Sequence, residues 1–160
     1  MSEPKVVTTV RGARYVLGRE LGRGGQGAVF ALEGERLAAK LVFNRSPLAR
    51  ERLRDQLAMV GRLPLEGLAI AKPLEQLRPP HVGYVMELVT GMTSLARLGR
   101  PPKGVPSVTQ WFLETGGLRR RLRVLARTAE VLSELHGKGL TYVDPSPHNV
   151  FVSDSLDGDE

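Results

Sequence analysis

The stretch Leu21-Gly22-Arg23-Gly24-Gly25-Gln26-Gly27-Ala28-Val29-Phe30 decides how this chain is read. Gly22, Gly24 and Gly27 stand in G-x-G-x-x-G spacing, with Val29 two residues on. A backbone without Cβ atoms can come close to a ligand, and its N–H groups can then point at phosphate oxygens. The spacing alone also fits an ordinary turn or a dinucleotide-binding loop.

The residues after the glycines separate these readings. A dinucleotide loop must lead from a strand into a helix. Here Ala28–Leu32 is short, apolar and partly β-branched, meets a turn at Glu33-Gly34-Glu35-Arg36, and resumes as Leu37-Ala38-Ala39-Lys40-Leu41-Val42-Phe43. That pattern is strand, hairpin, strand. The glycines are therefore expected at a hairpin tip, with Lys40 on the next strand.

The 160 residues, 41% hydrophobic and 25% charged, suit one globular domain with a core and argue against wholesale disorder. The absence of cysteine excludes disulfides and cysteine-based zinc sites. His81, His136 and His148 offer no metal-ligand pair at helical spacing. The start Met-Ser-Glu-Pro-Lys lacks a signal-peptide apolar run, and no apolar stretch is long enough to span a membrane. The expectation is a soluble, cytoplasmic protein without membrane contact. The net charge of +6 is uneven: residues 97–138 hold nine basic and three acidic side chains. Without aromatic residues alternating with the arginines, this reads as a solvated helix face rather than a specific nucleic-acid site.

Taken in order, residues 1–13 are polar and loose apart from Val6–Val10, and Tyr15–Leu21 forms a first strand. Ser46 as N-cap and Pro47 at the first helical position open a helix reaching about Leu63, with Leu53, Leu57 and Val60 on its apolar face. Strand-like runs come next, near Ala69–Leu77 and Val82–Val89. Gly91–Pro106 reads as a linker, with a helical turn near Ser94–Leu98. Leu118, Leu122, Leu125, Ala129, Leu132 and Leu135 mark the strongest helix, stopped by Gly137 and Gly139. A loop Asp144-Pro145-Ser146-Pro147-His148-Asn149 then leads into a strand-like Val150-Phe151-Val152.

A glycine hairpin, a strand lysine and an Asp…Asn loop after a long helix, in that order, resemble the protein-kinase family. Gly22-x-Gly24-x-x-Gly27-x-Val29 is similar to its glycine-rich loop, and Leu37-Ala38-Ala39-Lys40 to its V-A-I-K strand. Tyr84–Val89 resembles the last small-lobe strand and hinge. Tyr142-Val143-Asp144 stands where the family has H-R-D, with Asn149 five residues later. The resemblance covers almost the whole chain.

It implies an α+β, protein-kinase-like fold: a five-stranded antiparallel small lobe with one helix over residues 1–89, then hinge and partial helical large lobe with the catalytic loop over 90–160. The cofactors implied are ATP and Mg²⁺, the partner a protein substrate. Leu21, Gly22, Gly24, Gly27, Val29, Ala38, Lys40, Met86 as gatekeeper, Glu87, Val89 and Asn149 would contact nucleotide. Lys40 would neutralise phosphate charge, Asp144 would orient the attacking hydroxyl and take its proton, and Asn149 would give Mg²⁺ a neutral oxygen.

Departures from the family qualify this. Val143 replaces the arginine of H-R-D, which speaks against control through a phosphorylated activation loop. Ser146 occupies a position where many serine/threonine kinases have lysine. The helix acid that would pair with Lys40 is open between Asp55, Glu51 and the Gln56 position. No D-F-G, activation segment or A-P-E motif comes after Val152, and Asp157-Gly158 in the polar tail is a weak stand-in. The D-x-S-x-x-N loop also resembles certain bacterial kinase-like proteins. The expectation is thus an ATP-dependent Ser/Thr-type protein kinase cut short before D-F-G, with little activity alone. The rivals are a nucleotide-binding pseudokinase scaffold and a small-molecule phosphotransferase of related fold.

Overall fold

A computed structural model describes residues 5–155, so Asp157-Gly158 lie outside the described residues. The chain forms two compact units: Met1–Pro64 with Ile70–Leu88, and Leu65–Ala69 with Val89–Glu160.

The first unit holds β1 (Val6–Thr8), β2 (Arg14–Arg23), β3 (Gly27–Leu32), β4 (Leu37–Val42), α1 (Pro47–Val60), β5 (Pro73–Gln76) and β6 (Gly83–Glu87). Its strands make one antiparallel sheet in the order β1-β2-β3-β4-β6-β5. The glycine stretch is the β2–β3 hairpin and Lys40 lies on the next strand, as the alternation of residues required.

The five-stranded expectation is corrected to six. The added strand lies in the short run Val6–Val10 that stood apart from the loose N-terminal residues: residues 6–8 pair with Arg14–Val16, because this β-branched run has a face to bury. Val7 and Thr9 are fully buried, while Val6 and Thr8 between and beside them are only half buried. That is strand alternation compressed into four residues.

The segment after β1 also ties the two edges of the sheet together. Thr9 bridges Leu77, the Val10 N–H donates to the Gln76 carbonyl at 2.9 Å, and the Arg78 N–H donates to the Thr8 carbonyl at 2.7 Å. The Arg78 guanidinium reaches the Val10 carbonyl at 2.9 Å, and the Arg11 N–H donates to Glu75 Oε1 at 2.7 Å. Pairing both edges removes strand groups that would otherwise be left open. Inside the curl, Val7, Leu32, Ala39, Leu77 and Val85 form the core, flanked by Tyr15, Leu17, Leu37 and Leu41.

Helix α1 starts as its sequence dictates: Ser46 Oγ accepts from the Ala49 N–H at 3.1 Å, and Pro47 takes the first position. Its packing is light. Leu53, Leu57 and Val60 are half buried, and Leu48 and Met59 are exposed. The run expected over Ala69–Leu77 is a strand only at Pro73–Gln76, and Leu65–Ala69 belong to the second unit.

The second unit holds β7 (Met92–Ser94), α2 (Ala96–Gly99), α3 (Val108–Glu114), α4 (Gly117–Gly137) and β8 (Phe151–Ser153). The segment expected as a linker therefore carries a strand, paired antiparallel to β8 from Met92↔Ser153 to Ser94↔Phe151. Leu98, Val124 and Val152 make a small core with Leu95 against it.

Helix α4 is the helix expected, but over its first half burial is displaced from the expected face. Leu118, Leu122 and Leu125 are 61%, 56% and 57% exposed, whereas Arg120 and Val124 are buried; further along, the expected Leu135 is buried and Leu132 half buried. Periodicity identifies a helical face without saying which neighbour it meets. Over the first half of α4 a second, less obvious face is the packed one. No helix among the described residues is long and apolar enough to cross a membrane.

Candidate functional site

In the first unit, strand register collects the expected residues. Val29, Lys40 and Tyr84 lie directly opposite one another across β3, β4 and β6, as do Ala31, Ala38 and Met86. Opposed side chains in an antiparallel sheet share a face, and i, i+2 neighbours along a strand join them. Gly22, opposite Val29, extends the same row onto β2. Gly22, Val29, Ala38, Lys40 and Met86 thus occupy one face, and the core residues Ala39 and Val85 occupy the other. Glu87 is exposed at the end of β6, and the Leu88 N–H beyond it donates to the Arg36 carbonyl at 3.0 Å. Leu21 is exposed next to a register shift in β2.

The three motif glycines have different physical reasons. A Cβ on Gly22 or Gly24 would meet nothing within 4 Å, so the space over the hairpin tip is open. A Cβ on Gly27 would lie 2.3 Å from the Leu41 carbonyl oxygen. Gly27 is therefore demanded by close approach of β3 to β4, whereas Gly22 and Gly24 face open space. The tip is closed by the Gly24 N–H donating to the Gly27 carbonyl at 2.9 Å. At its base the Phe43 N–H donates to the Gln26 carbonyl at 3.0 Å, and Arg23 stacks over the Phe43 ring at 5.3 Å. Arg23 also pairs with Glu20, whose carboxyl it holds below the usual range.

Lys40 is half buried, with its Nζ 6.0 Å from the centroid of the Tyr84 ring. None of the helix residues considered as its partner engages it. Glu51 and Asp55 both face Arg54, at 3.7 and 3.4 Å, on the solvent side of α1, and Gln56 is exposed as well. Among the described residues Lys40 forms no ion pair.

In the second unit, Asp144 and Asn149 are brought together. Asn149 Nδ2 donates to Asp144 Oδ2 at 2.8 Å and to the Asp144 carbonyl at 3.2 Å. The Ser146 N–H donates to the Asp144 carbonyl at 2.8 Å, and the Asn149 N–H to the Ser146 carbonyl at 2.9 Å. With Nδ2 spent on Asp144, the Asn149 amide keeps its Oδ1 for another partner. A carboxylate beside a neutral amide oxygen is a donor set that suits a hard cation such as Mg²⁺. Tyr142 is partly buried, and burial with the Asp144 charge pushes its hydroxyl above the usual phenol value. Val143 is 91% exposed, its apolar side chain projecting where the resemblance calls for arginine. Val89, expected at the end of a hinge, is exposed in this unit.

Several residues around these positions were not evident from sequence. Gly83 is one: a Cβ there would lie 2.0 Å from the Lys40 carbonyl oxygen, so Gly83 sets the spacing of β6 against β4 at the lysine. A glycine inside a strand pattern is the signal that points to such close approach. Ser94 is another, donating through Oγ to the Pro147 carbonyl at 2.9 Å. The sequence reads the arginines of α4 as a solvated face, yet two of them work internally. Arg120 donates to the Ser153 carbonyl at the end of β8. Arg121 donates to the carbonyls of Leu98 (2.8 Å) and Gly117 (2.9 Å) and to Thr115 Oγ1 (3.0 Å), with its guanidinium 4.3 Å from the Phe112 ring centroid and 5.2 Å from that of Trp111.

Comparison with known proteins is sparse and points one way. No family model matches the chain. It is 27% identical over 150 residues to the serine/threonine-protein kinase Pkn1 of Myxococcus xanthus, covering 89% of this chain and 20% of that protein. The chain thus spans about one fifth of the length of the curated relative it matches. The relationship is distant and kinase-like.

Proposed function

We propose that this chain is the nucleotide-binding front of a kinase-like phosphotransferase, moving the γ-phosphoryl of Mg-ATP to a protein hydroxyl of the Ser/Thr type. The observation that carries the reading is the shared face of Gly22, Val29, Ala38, Lys40 and Met86 beside an open glycine tip. Adenine would stack against Val29, Ala38 and Met86 and meet the backbone of Glu87 and Val89. The phosphates would lie under Gly22 and Gly24 with Lys40 as their counter-charge. Phosphoryl transfer asks mainly for positioning and charge neutralisation. Asp144 would receive the hydroxyl proton, and the Asn149 oxygen would hold Mg²⁺, which when bound draws negative charge off the phosphates. The distant likeness to a serine/threonine-protein kinase supports the same reading.

One observation favours a second reading, a nucleotide-holding scaffold with little transfer. Among the described residues Lys40 has no carboxylate partner, while Glu51 and Asp55 turn to Arg54. Both readings are tested on wild type, Lys40→Ala and Asp144→Asn. Saturable Mg-ATP binding lost in Lys40→Ala supports the nucleotide site, and absence of binding in wild type removes it. Phosphate transfer abolished in Asp144→Asn supports the enzyme. Binding with no transfer from wild type supports the scaffold.

A further inference from the structure

The segment 91–96, which the sequence reads as a connector, grips the middle of the Asp144–Asn149 loop. Ser94 Oγ donates to the Pro147 carbonyl at 2.9 Å. The Ala96 N–H donates to the same carbonyl at 3.0 Å and also approaches Ser94 Oγ at 3.3 Å. The Leu95 N–H donates to the Val150 carbonyl at 2.8 Å, just past Asn149. Below this triangle the β7–β8 ladder runs from Ser94↔Phe151 to Met92↔Ser153. Pro147 lies between the two residues whose side chains meet, Asp144 and Asn149. Its carbonyl is therefore a fixed point from which the loop's shape is set.

We propose that Ser94 is a positioning residue for this loop: its hydroxyl clamps Pro147 and so holds the Asn149 amide against Asp144. The backbone bonds of β7 and β8 set strand register and are available to any residue at position 94. The second bond to the Pro147 carbonyl, beside the one from the Ala96 N–H, needs a hydroxyl on a short side chain. The assignment rests on the proposed function only for its consequence, metal-nucleotide binding; the clamp itself is a geometric statement.

The test compares wild type, Ser94→Ala and Ser94→Thr by two readouts. The first is solvent exchange of the Asn149 side-chain amide and of the Ser146–Asn149 backbone amides, with Val124 amide exchange as the reference for the unit. The second is the ratio of affinities for Mn-ATP and metal-free ATP. One hydrogen bond's worth of loosening predicts about three- to tenfold faster exchange at Asn149 in Ser94→Ala, with Val124 unchanged and Ser94→Thr restored. The Mn-ATP preference should fall by a similar factor. Unchanged Asn149 exchange in Ser94→Ala overturns the clamp. So does uniform loosening that includes Val124, whether or not the variant still folds. If wild type binds no nucleotide, the function proposed above fails, while the exchange comparison still decides the role of Ser94.

Discussion

Gly27→Ala and Gly24→Ala, three residues apart in one motif, should have opposite consequences. An alanine Cβ at 27 would sit 2.3 Å from the Leu41 carbonyl oxygen and 3.2 Å from its carbon, and both are backbone atoms of a paired strand. Real Cβ contacts do not fall below 3.0 Å, so β3 and β4 must separate there by about 0.7 Å. The strain falls where Gly27 pairs with Val42, and where the bonds from Gly24 N–H to Gly27 and from Phe43 N–H to Gln26 fix the hairpin. Overpacking of this size, with one or two weakened hydrogen bonds, costs about 1–3 kcal/mol. The opposing gain from a stiffer unfolded chain is below about 1 kcal/mol. At Gly24 the added methyl meets nothing, so stability should hold or rise by a few tenths of a kcal/mol, with about tenfold weaker Mg-ATP binding from steric exclusion. Urea unfolding tracked by far-UV circular dichroism gives the stabilities, and titration calorimetry gives the affinities. An unchanged midpoint in Gly27→Ala, or an equal loss in Gly24→Ala, would refute the division of the motif into one packing glycine and one ligand-facing glycine.

Single observations elsewhere in the chain carry further consequences. Gly83→Ala should destabilise by about 1–3 kcal/mol and also weaken ATP binding, because its Cβ would press on the Lys40 carbonyl; unchanged denaturant midpoints would contradict this. Arg121→Ala should cost about 2–4 kcal/mol and shift the emission of Trp111, the chain's one tryptophan, and Arg121→Lys should not rescue it because a point charge cannot reproduce the fork and the ring contacts. His81 has its pKa lowered by burial first and by Arg45 second. The unfolded chain therefore binds the proton more readily than the folded one, and stability should fall as pH drops below the ordinary imidazole value of about 6.5. His81→Gln should flatten that part of the urea-midpoint against pH curve; an unaltered slope would show that other groups cause it.

The strand–hairpin–strand around the glycines, the capped start of α1 and the 21-residue α4 were legible because each is set by local chemistry. Side-chain alternation, an N-cap hydroxyl before proline and a helical apolar period act within a few residues. The D-x-x-x-x-N spacing likewise announced a loop, and the contact between Asn149 and Asp144 is one that such a short span permits. What the sequence by itself determined is therefore the kinds of elements, their order and the residue types available for chemistry.

Only the tertiary structure decided which partners those residues have. Val6–Thr8 became a strand because β2 offered it an edge, and Thr9 became a buried bridge because Leu77 closed the sheet from 68 positions away. Gly27 and Gly22 look alike in a motif, and only the nearness of the Leu41 carbonyl separates their roles. Arg121 and Arg119 look alike in a basic run, and only the Leu98 carbonyl and the ring of Phe112 draw Arg121 inward. Leu118, Leu122 and Leu125 of α4 face outward for the same reason: periodicity marks a face, but burial depends on surfaces that arrive from elsewhere in the chain. Local preference is a property of neighbours in sequence, whereas packing is a property of neighbours in space, and only folding makes those known.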